Sequence, residues 1–115
     1  MDIAKLQEYQ RSFVALRDWD QFHSPKNLSM GLAAEAAELT EVFLWLTEEQ
    51  SRRVMTTDKA EAVRHELADV LFYLVRIADK LGVDLEAAFW EKTKLNEQRY
   101  PPELSRGNAK KYTDL

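Results

Sequence analysis

The sequence predicts an all-α protein, a four-helix-bundle-like domain, on three observations. Its 115 residues include only three Gly and three Pro, too few for a many-stranded sheet, which wants turn residues about every 8 to 12 positions. Apolar residues recur roughly one helical turn apart over four long stretches. Residues that start and stop helices bound those stretches. At 45% hydrophobic, the chain has material for a single domain with one core, residues 1–115.

The first helix is expected from about Asp2 to Phe22, with Ile3, Leu6, Tyr9, Phe13 and Leu16 marking its apolar face. His23-Ser24-Pro25 interrupts the pattern. Ser24 followed by Pro25 is a favourable N-cap and first-position pair for a second helix reaching about Leu46. Thr47 to Thr57 lose the apolar period and read as a polar connection with a frayed turn around Glu48 to Arg53. Asp58 is the expected N-cap of the third helix, which ends at Gly82 in the usual C′ position. Asp84 caps a fourth helix running to Arg99, where Pro101-Pro102 stops it. Residues from about 101 to 115 read as a flexible tail, or one that orders on binding. No internal repeat or low-complexity segment is present.

Composition excludes several function classes. With no Cys there is no disulfide framework, thiolate nucleophile or Cys-based zinc site. The opening residues carry no basic region leading into a long apolar run, so no secretory signal is expected and a cytoplasmic location fits. The longest apolar run, Val70 to Val75, is too short to span a membrane. A net charge of −4 argues against binding polymeric nucleic acid. A small polyanion would need a metal to be held.

On the second helix, at about 100° per residue, Leu28, Leu32, Leu39, Val42, Phe43 and Leu46 form one stripe. Glu35 falls within it, Glu38 at its edge, and Glu41 further round towards water. A carboxylate aimed into a core costs several kcal/mol unless its charge is compensated. The third helix is apolar all round over Val70–Val75, which calls for packing on every side. Four short helices do not supply that, so a second subunit is expected.

Two motifs carry the chemistry, Glu35-Ala-Ala-Glu38 and Glu66-Leu-Ala-Asp69. Spacing of i, i+3 sets both acids of each pair on one helix face, and two such helices side by side bring four carboxylates together. Like charges at close range are tolerable mainly around a cation. The neighbouring Ala33, Ala34, Ala36 and Ala37 keep the second helix slim. All-oxygen ligands suit Mg²⁺, Mn²⁺ or Ca²⁺. A di-iron site would want Glu-x-x-His on two helices, and His65 directly precedes Glu66 and so points elsewhere. The bland alternative is that both pairs are solvated surface charge, as most such pairs are.

The same acids lie in a wider frame. Arg17-Asp18-Trp19, Gln21-Phe22-His23, Pro25-x-Asn27-Leu28, Glu38-Leu39-x-Glu41-x-Phe43-x-Trp45, Asp69-Val70-Leu71-x-Tyr73, Val83-Asp84-Leu85 and the tail from Gln98-Arg99-Tyr100-Pro101 to Lys111-Tyr112-Thr113 resemble the MazG-type all-α nucleotide pyrophosphohydrolases. The similarity is strongest to the branch acting on dCTP, and it covers nearly the whole chain outside residues 47–60.

The resemblance implies a Mg²⁺-dependent hydrolase (Mn²⁺ as the alternative) that cleaves a deoxynucleoside triphosphate between the α and β phosphates. It further implies dimers or dimers of dimers with shared sites. Carried onto this chain, the metal ligands are Glu35, Glu38, Glu66 and Asp69. Glu38 is the expected base with Glu35 beside it, and Glu41 an auxiliary group. Trp19, Trp45 and Tyr73 would form the base pocket, while Lys92 and Asn96 would contact phosphate or sugar. One position departs: where the dCTP-directed branch has a base-pocket histidine, this chain has Gln10. Its amide can both donate and accept, so cytosine, uracil or a modified base remains open.

Without the resemblance, Trp19 and Trp45 read as core, His23 as a capping or packing residue, and Lys92 and Asn96 as solvent-facing. A non-catalytic helical adaptor that binds a divalent ion is the competing class.

Overall fold

The computed structural model describes residues 1–115, and every regular element in it is helical. The chain falls into two compact units, Met1–Gly82 and Val83–Leu115. No helix is long and apolar enough to cross a membrane.

The first unit begins with α1, Ile3–Leu16, whose N-cap Asp2 accepts from the Lys5 N–H at 3.1 Å. The helix stops well short of the expected Phe22. Asp18 adopts a left-handed φ of 54°, its N–H reaches the Ala15 carbonyl at 3.1 Å, and the Trp19 N–H reaches the Val14 carbonyl at 3.1 Å. That pair of bonds is a Schellman stop, with Asp in the position more often taken by Gly. A 3₁₀ turn, Asp20–Phe22, follows.

Helix α2, Pro25–Phe43, starts as expected: the Ser24 hydroxyl accepts from the Asn27 N–H at 3.1 Å, with Pro25 in the first turn. It ends three residues before Leu46. Leu44 (φ −57°, ψ 132°) and Trp45 (φ 71°) form a tight turn closed by the Leu46 N–H on the Phe43 carbonyl at 3.0 Å. This is type II turn geometry, and its left-handed position ordinarily takes Gly. The frayed turn in the connection is α3, Glu48–Arg52, fixed by a reciprocal Thr47–Gln50 capping box. A 3₁₀ turn, Val54–Thr56, leads on.

Helix α4, Ala60–Leu81, is capped at Lys59 without a side-chain bond. The expected cap, Asp58, is displaced because Thr57 organises the turn, its hydroxyl accepting from the Lys59 N–H at 3.2 Å. Gly82 (φ 66°) closes α4 as expected.

Helices α2 and α4 run antiparallel. Gly31 faces Tyr73, and two turns along, Glu38 meets Glu66. A Cβ at Gly31 would overlap the Tyr73 ring, with Cδ1 only 2.7 Å away, so glycine sets the separation of the helices. Helix α1 lies on α4 through Gln7 and Gln10, which donate to the Val75 and Phe72 carbonyls at 3.3 and 2.8 Å. Val14, Leu28, Val54, Val63, Val75 and Ala78 are the buried hydrophobic side chains, with Val14, Leu28 and Val75 fully enclosed. Of the apolar run on α4, Val75 is fully buried but Leu74 is exposed.

The second unit contains α5, Leu85–Arg99, whose N-cap Asp84 accepts from the Ala87 N–H at 3.0 Å. Residues 101–115, expected as a flexible tail, carry α6, Pro102–Ser105, and a last 3₁₀ turn, Tyr112–Asp114. Tyr112 packs edge-on to Tyr100 at 6.0 Å, beneath the Arg99 guanidinium.

Candidate metal centre and adjoining cavity

Glu35 and Glu38 on α2 and Glu66 and Asp69 on α4 converge across the antiparallel contact. One carboxylate oxygen from each lies within 4.8 Å of all the others. Glu38 and Asp69 are exposed, whereas Glu35 and Glu66 are half-buried. No cation from the chain enters the cluster. Glu35 Oε2 and Glu66 Oε2 are fully buried without a hydrogen-bond partner.

The electrostatic consequence is direct. Burial, then a hydrogen bond and charge repulsion from Glu38, then the charges of Asp69 and Glu66, push the Glu35 carboxyl up to about 7. Glu66 is raised by burial first and by Glu38 and Asp69 next. Four converging carboxylates with two orphaned buried oxygens fit an oxygen-ligated divalent cation. The donor set offers neither sulfur nor nitrogen, so a soft metal is a poor match.

Beyond Asp69, one turn along α4, Tyr73 enters a cavity of about 420 Å³ that Trp19, His23, Asn27 and Phe72 also line. The size suits a small planar ligand. Trp19 is held edge-on by Phe13 at 5.8 Å, and Phe13 in turn meets Phe72 at 6.1 Å. Two of the expected base-pocket residues, Trp19 and Tyr73, are thereby brought together.

Gln10 and Trp45, also expected in the base pocket, do not line this cavity. Gln10 lines a separate cavity of about 160 Å³ with Leu6, Tyr9 and Leu71. Its amide nitrogen is engaged by Phe72, and its Oε1 is buried without a partner. Trp45 is 91% exposed on its left-handed turn. Lys92 and Asn96 are exposed, one turn apart on α5 in the second unit.

Sequence reasoning missed a second charged group. Arg76, only 3% exposed, donates from Nη2 to Asp20 Oδ1 at 2.8 Å, from Nη1 to Asp79 Oδ2 at 3.5 Å, and from Nε to His23 Nδ1 at 3.1 Å. Arg11 holds Asp79 through a bidentate pair at 2.6 and 2.9 Å, and Lys80 reaches Asp20 at 2.9 Å. The Arg11 hydrogen bond chiefly lowers the Asp79 pKa; the Lys80 hydrogen bond chiefly lowers that of Asp20. Its one local signal was Arg76-x-x-Asp79, an i, i+3 pair just after an apolar run.

The MazG-like family model matches residues 32–115. The chain belongs to the MazG-like family. It is 47% identical over 104 residues to dCTP pyrophosphatase 1 of Rattus norvegicus and 43% over the same length to dCTP pyrophosphatase 1 of Homo sapiens. Both alignments cover 90% of this chain but 61% of the relative; the chain thus spans about three-fifths of the length of these relatives. A crystal structure of a pyrophosphatase from Archaeoglobus fulgidus superposes with a TM-score of 0.79 at 35% identity, covering 85% of this chain and 91% of that one. The family expected from the residue pattern, and its all-helical fold, are thus the ones found.

Proposed function

We propose that this MazG-like chain is a nucleoside triphosphate pyrophosphohydrolase, cleaving a dNTP, with dCTP or a modified dCTP preferred, to the monophosphate and pyrophosphate. The observation that carries the reading is the four-carboxylate cluster with its two buried, unpartnered oxygens. The names of the similar mammalian and archaeal proteins agree with it.

Glu35, Glu38, Glu66 and Asp69 would hold Mg²⁺, or Mn²⁺ in its place. Bound there, the cation supplies charge neutralisation on the triphosphate and acidifies water. The half-buried Glu35 and Glu66 anchor the site, while the exposed Glu38 and Asp69 face incoming substrate. Glu38 is the base, its carboxylate taking the proton from the water that attacks the α-phosphorus. Trp19 and Tyr73 stack on the base, which sets the triphosphate towards Asp69. Lys92 and Asn96 contact phosphate or sugar. Gln10 lines a separate cavity and donates to the Phe72 carbonyl, so any influence it has on base preference runs through Phe72 at the cavity wall.

The working form is a homo-oligomer, a dimer or dimer of dimers. Two features support assembly: the apolar run on α4 lies only partly covered within one chain, and Trp45 projects almost wholly into solvent from a backbone conformation costly for a bulky residue. Trp45 would complete the pocket of a neighbouring copy.

A substrate panel of dNTPs and modified dCTPs, assayed for pyrophosphate release, tests the activity. dCTP or a modified dCTP is expected to turn over fastest. No pyrophosphate from any dNTP, with Mg²⁺ or Mn²⁺, would leave the adaptor alternative standing.

A further inference from the structure

His23 sits where the charged Arg76 network touches the Trp19–Tyr73 cavity, and its hydrogen bonding is constrained from one side. The Arg76 Nε–H donates to His23 Nδ1 at 3.1 Å. A guanidinium has no lone pair to offer and stays protonated. His23 Nδ1 must therefore carry the lone pair, which leaves the ring neutral with its hydrogen on Nε2. Arg76 cannot turn away to relax this, because Asp20 and Asp79 hold its other two arms. Burial, followed by the Arg76 charge, lowers the His23 pKa, in keeping with a neutral ring.

The Nε2–H has no partner in the protein. The ring borders the cavity with its centroid 6.4 Å from that of Trp19. Asn27, which also lines the cavity, spends its Nδ2 on the Phe22 carbonyl at 2.9 Å, which leaves its Oδ1 to serve as an acceptor. An aromatic-walled space with one fixed donor and one fixed acceptor matches the edge of a nucleobase, which offers both kinds of group.

We propose that His23 is a specificity-determining residue, its Nε2–H donating to a carbonyl oxygen or ring nitrogen on the edge of a pyrimidine base lying against Trp19, with Arg76 fixing the tautomer. The inference rests on the proposed nucleotide pyrophosphohydrolase activity. It assigns His23 to base recognition; packing alone would leave the outward nitrogen idle.

Two substitutions separate the roles. In His23→Asn the amide oxygen can replace Nδ1 as acceptor for Arg76, but no group reaches the Nε2 position. In His23→Gln the amide nitrogen can occupy the Nε2 position as donor. His23→Asn is expected to raise KM for dCTP, and the dissociation constant for dCMP followed by tryptophan fluorescence, about tenfold or more. kcat should stay within about twofold, because the chemical step at the α-phosphorus does not depend on the base edge. His23→Gln should recover most of the loss.

¹⁵N NMR of the wild-type side chain gives a readout that does not depend on a variant folding: a protonated Nε2 and unprotonated Nδ1, with the Nε2 signal moving on addition of dCMP. Unchanged KM and dCMP affinity in His23→Asn would overturn the proposal. So would an Nδ1–H tautomer, or an Nε2 signal indifferent to dCMP. A wild-type chain that binds dCMP but hydrolyses no dNTP would overturn the activity and leave the His23 assignment intact, whereas one that binds no nucleotide removes both.

Discussion

Helix α4 carries two charged clusters two turns apart, and they are built on opposite terms. Around Arg76 every charge has an opposite partner: Asp79 lies between Arg76 and Arg11, and Asp20 between Arg76 and Lys80. Around Glu66 and Asp69 the charges are all negative and two oxygens have no partner at all. The first arrangement lowers the pKa of Asp20 and Asp79; the second raises those of Glu35 and Glu66. Both groups sit at the junction of α4 with other elements, so position in the fold does not separate them. Compensation does. A satisfied network stabilises the fold and changes little when a ligand arrives, whereas an uncompensated cluster stores repulsion that a cation relieves.

The largest expected effect comes from the unsatisfied cluster. Glu38→Ala should lower pyrophosphate release at least about 100-fold, since it removes both a ligand and the proposed base. The variant should fold, because Glu38 is exposed and its removal eases repulsion on Glu35 and Glu66. Steady-state kinetics and circular dichroism check the two halves of that statement. Activity near wild type would remove the four-acid site.

The compensated network should answer in the opposite way. Arg76→Met removes a buried guanidinium and its bonds to Asp20, His23 and Asp79. The expected loss is about 2 kcal/mol, or roughly 8 °C in Tm, below the usual cost of breaking a buried pair because Asp79 keeps Arg11 and Asp20 reaches solvent. Urea unfolding measures it. A variant as stable as wild type would mean that the network, though fully paired, contributes no net stability.

The contrast also explains what could be read from sequence. The four acids follow from i, i+3 spacing, a local property, and the antiparallel α2–α4 packing needed only two helices with apolar faces. Ser24, Gly82 and Asp84 mark helix ends by their own chemistry. The end of α1 did not show, because an Asp in the left-handed position replaced the expected Gly while the apolar period ran on. Trp45 hid the end of α2 in the same manner. The Arg76 network joins residues more than fifty positions apart, so no window on the chain contains it. The cavity beside Trp19 likewise depends on Phe72 and Asn27, which only the folded chain brings to its walls.

A pH titration of the metal-free protein resolves the two clusters without a mutation. Glu35 is raised from 4.5 to about 7, so between these values the folded state holds a proton that the unfolded state has lost. Stability should therefore be fully present below about pH 4.5 as far as Glu35 is concerned, and fall as pH rises through 7. A Tm drop of a few degrees between pH 5 and about 7.5 is expected. Saturating Mg²⁺ should flatten it, because the cation favours the ionised form, and Glu35→Gln should shrink it to the part that Glu66 contributes. A metal-free Tm that climbs steadily over that window would contradict the cluster's electrostatics.

The smallest effect should belong to Asp20, the exposed end of the compensated network. It bonds both Arg76 and Lys80, yet its side chain is 64% exposed, so solvent screens the pairs and Arg76 retains Asp79 and His23 when Asp20 is neutralised. Asp20→Asn keeps an acceptor oxygen in place and removes only the charge. The expected change is about 2 °C or less in Tm at neutral pH, shrinking further in about 1 M NaCl. Because partners lower the Asp20 pKa, its contribution is present above about 3.8 and disappears as pH falls through the depressed value; wild type and variant should converge there. A drop as large as that from Arg76→Met would place the organising charge of the network at Asp20, and would tie the 3₁₀ turn that carries it, together with His23 at its end, to the stability of α4.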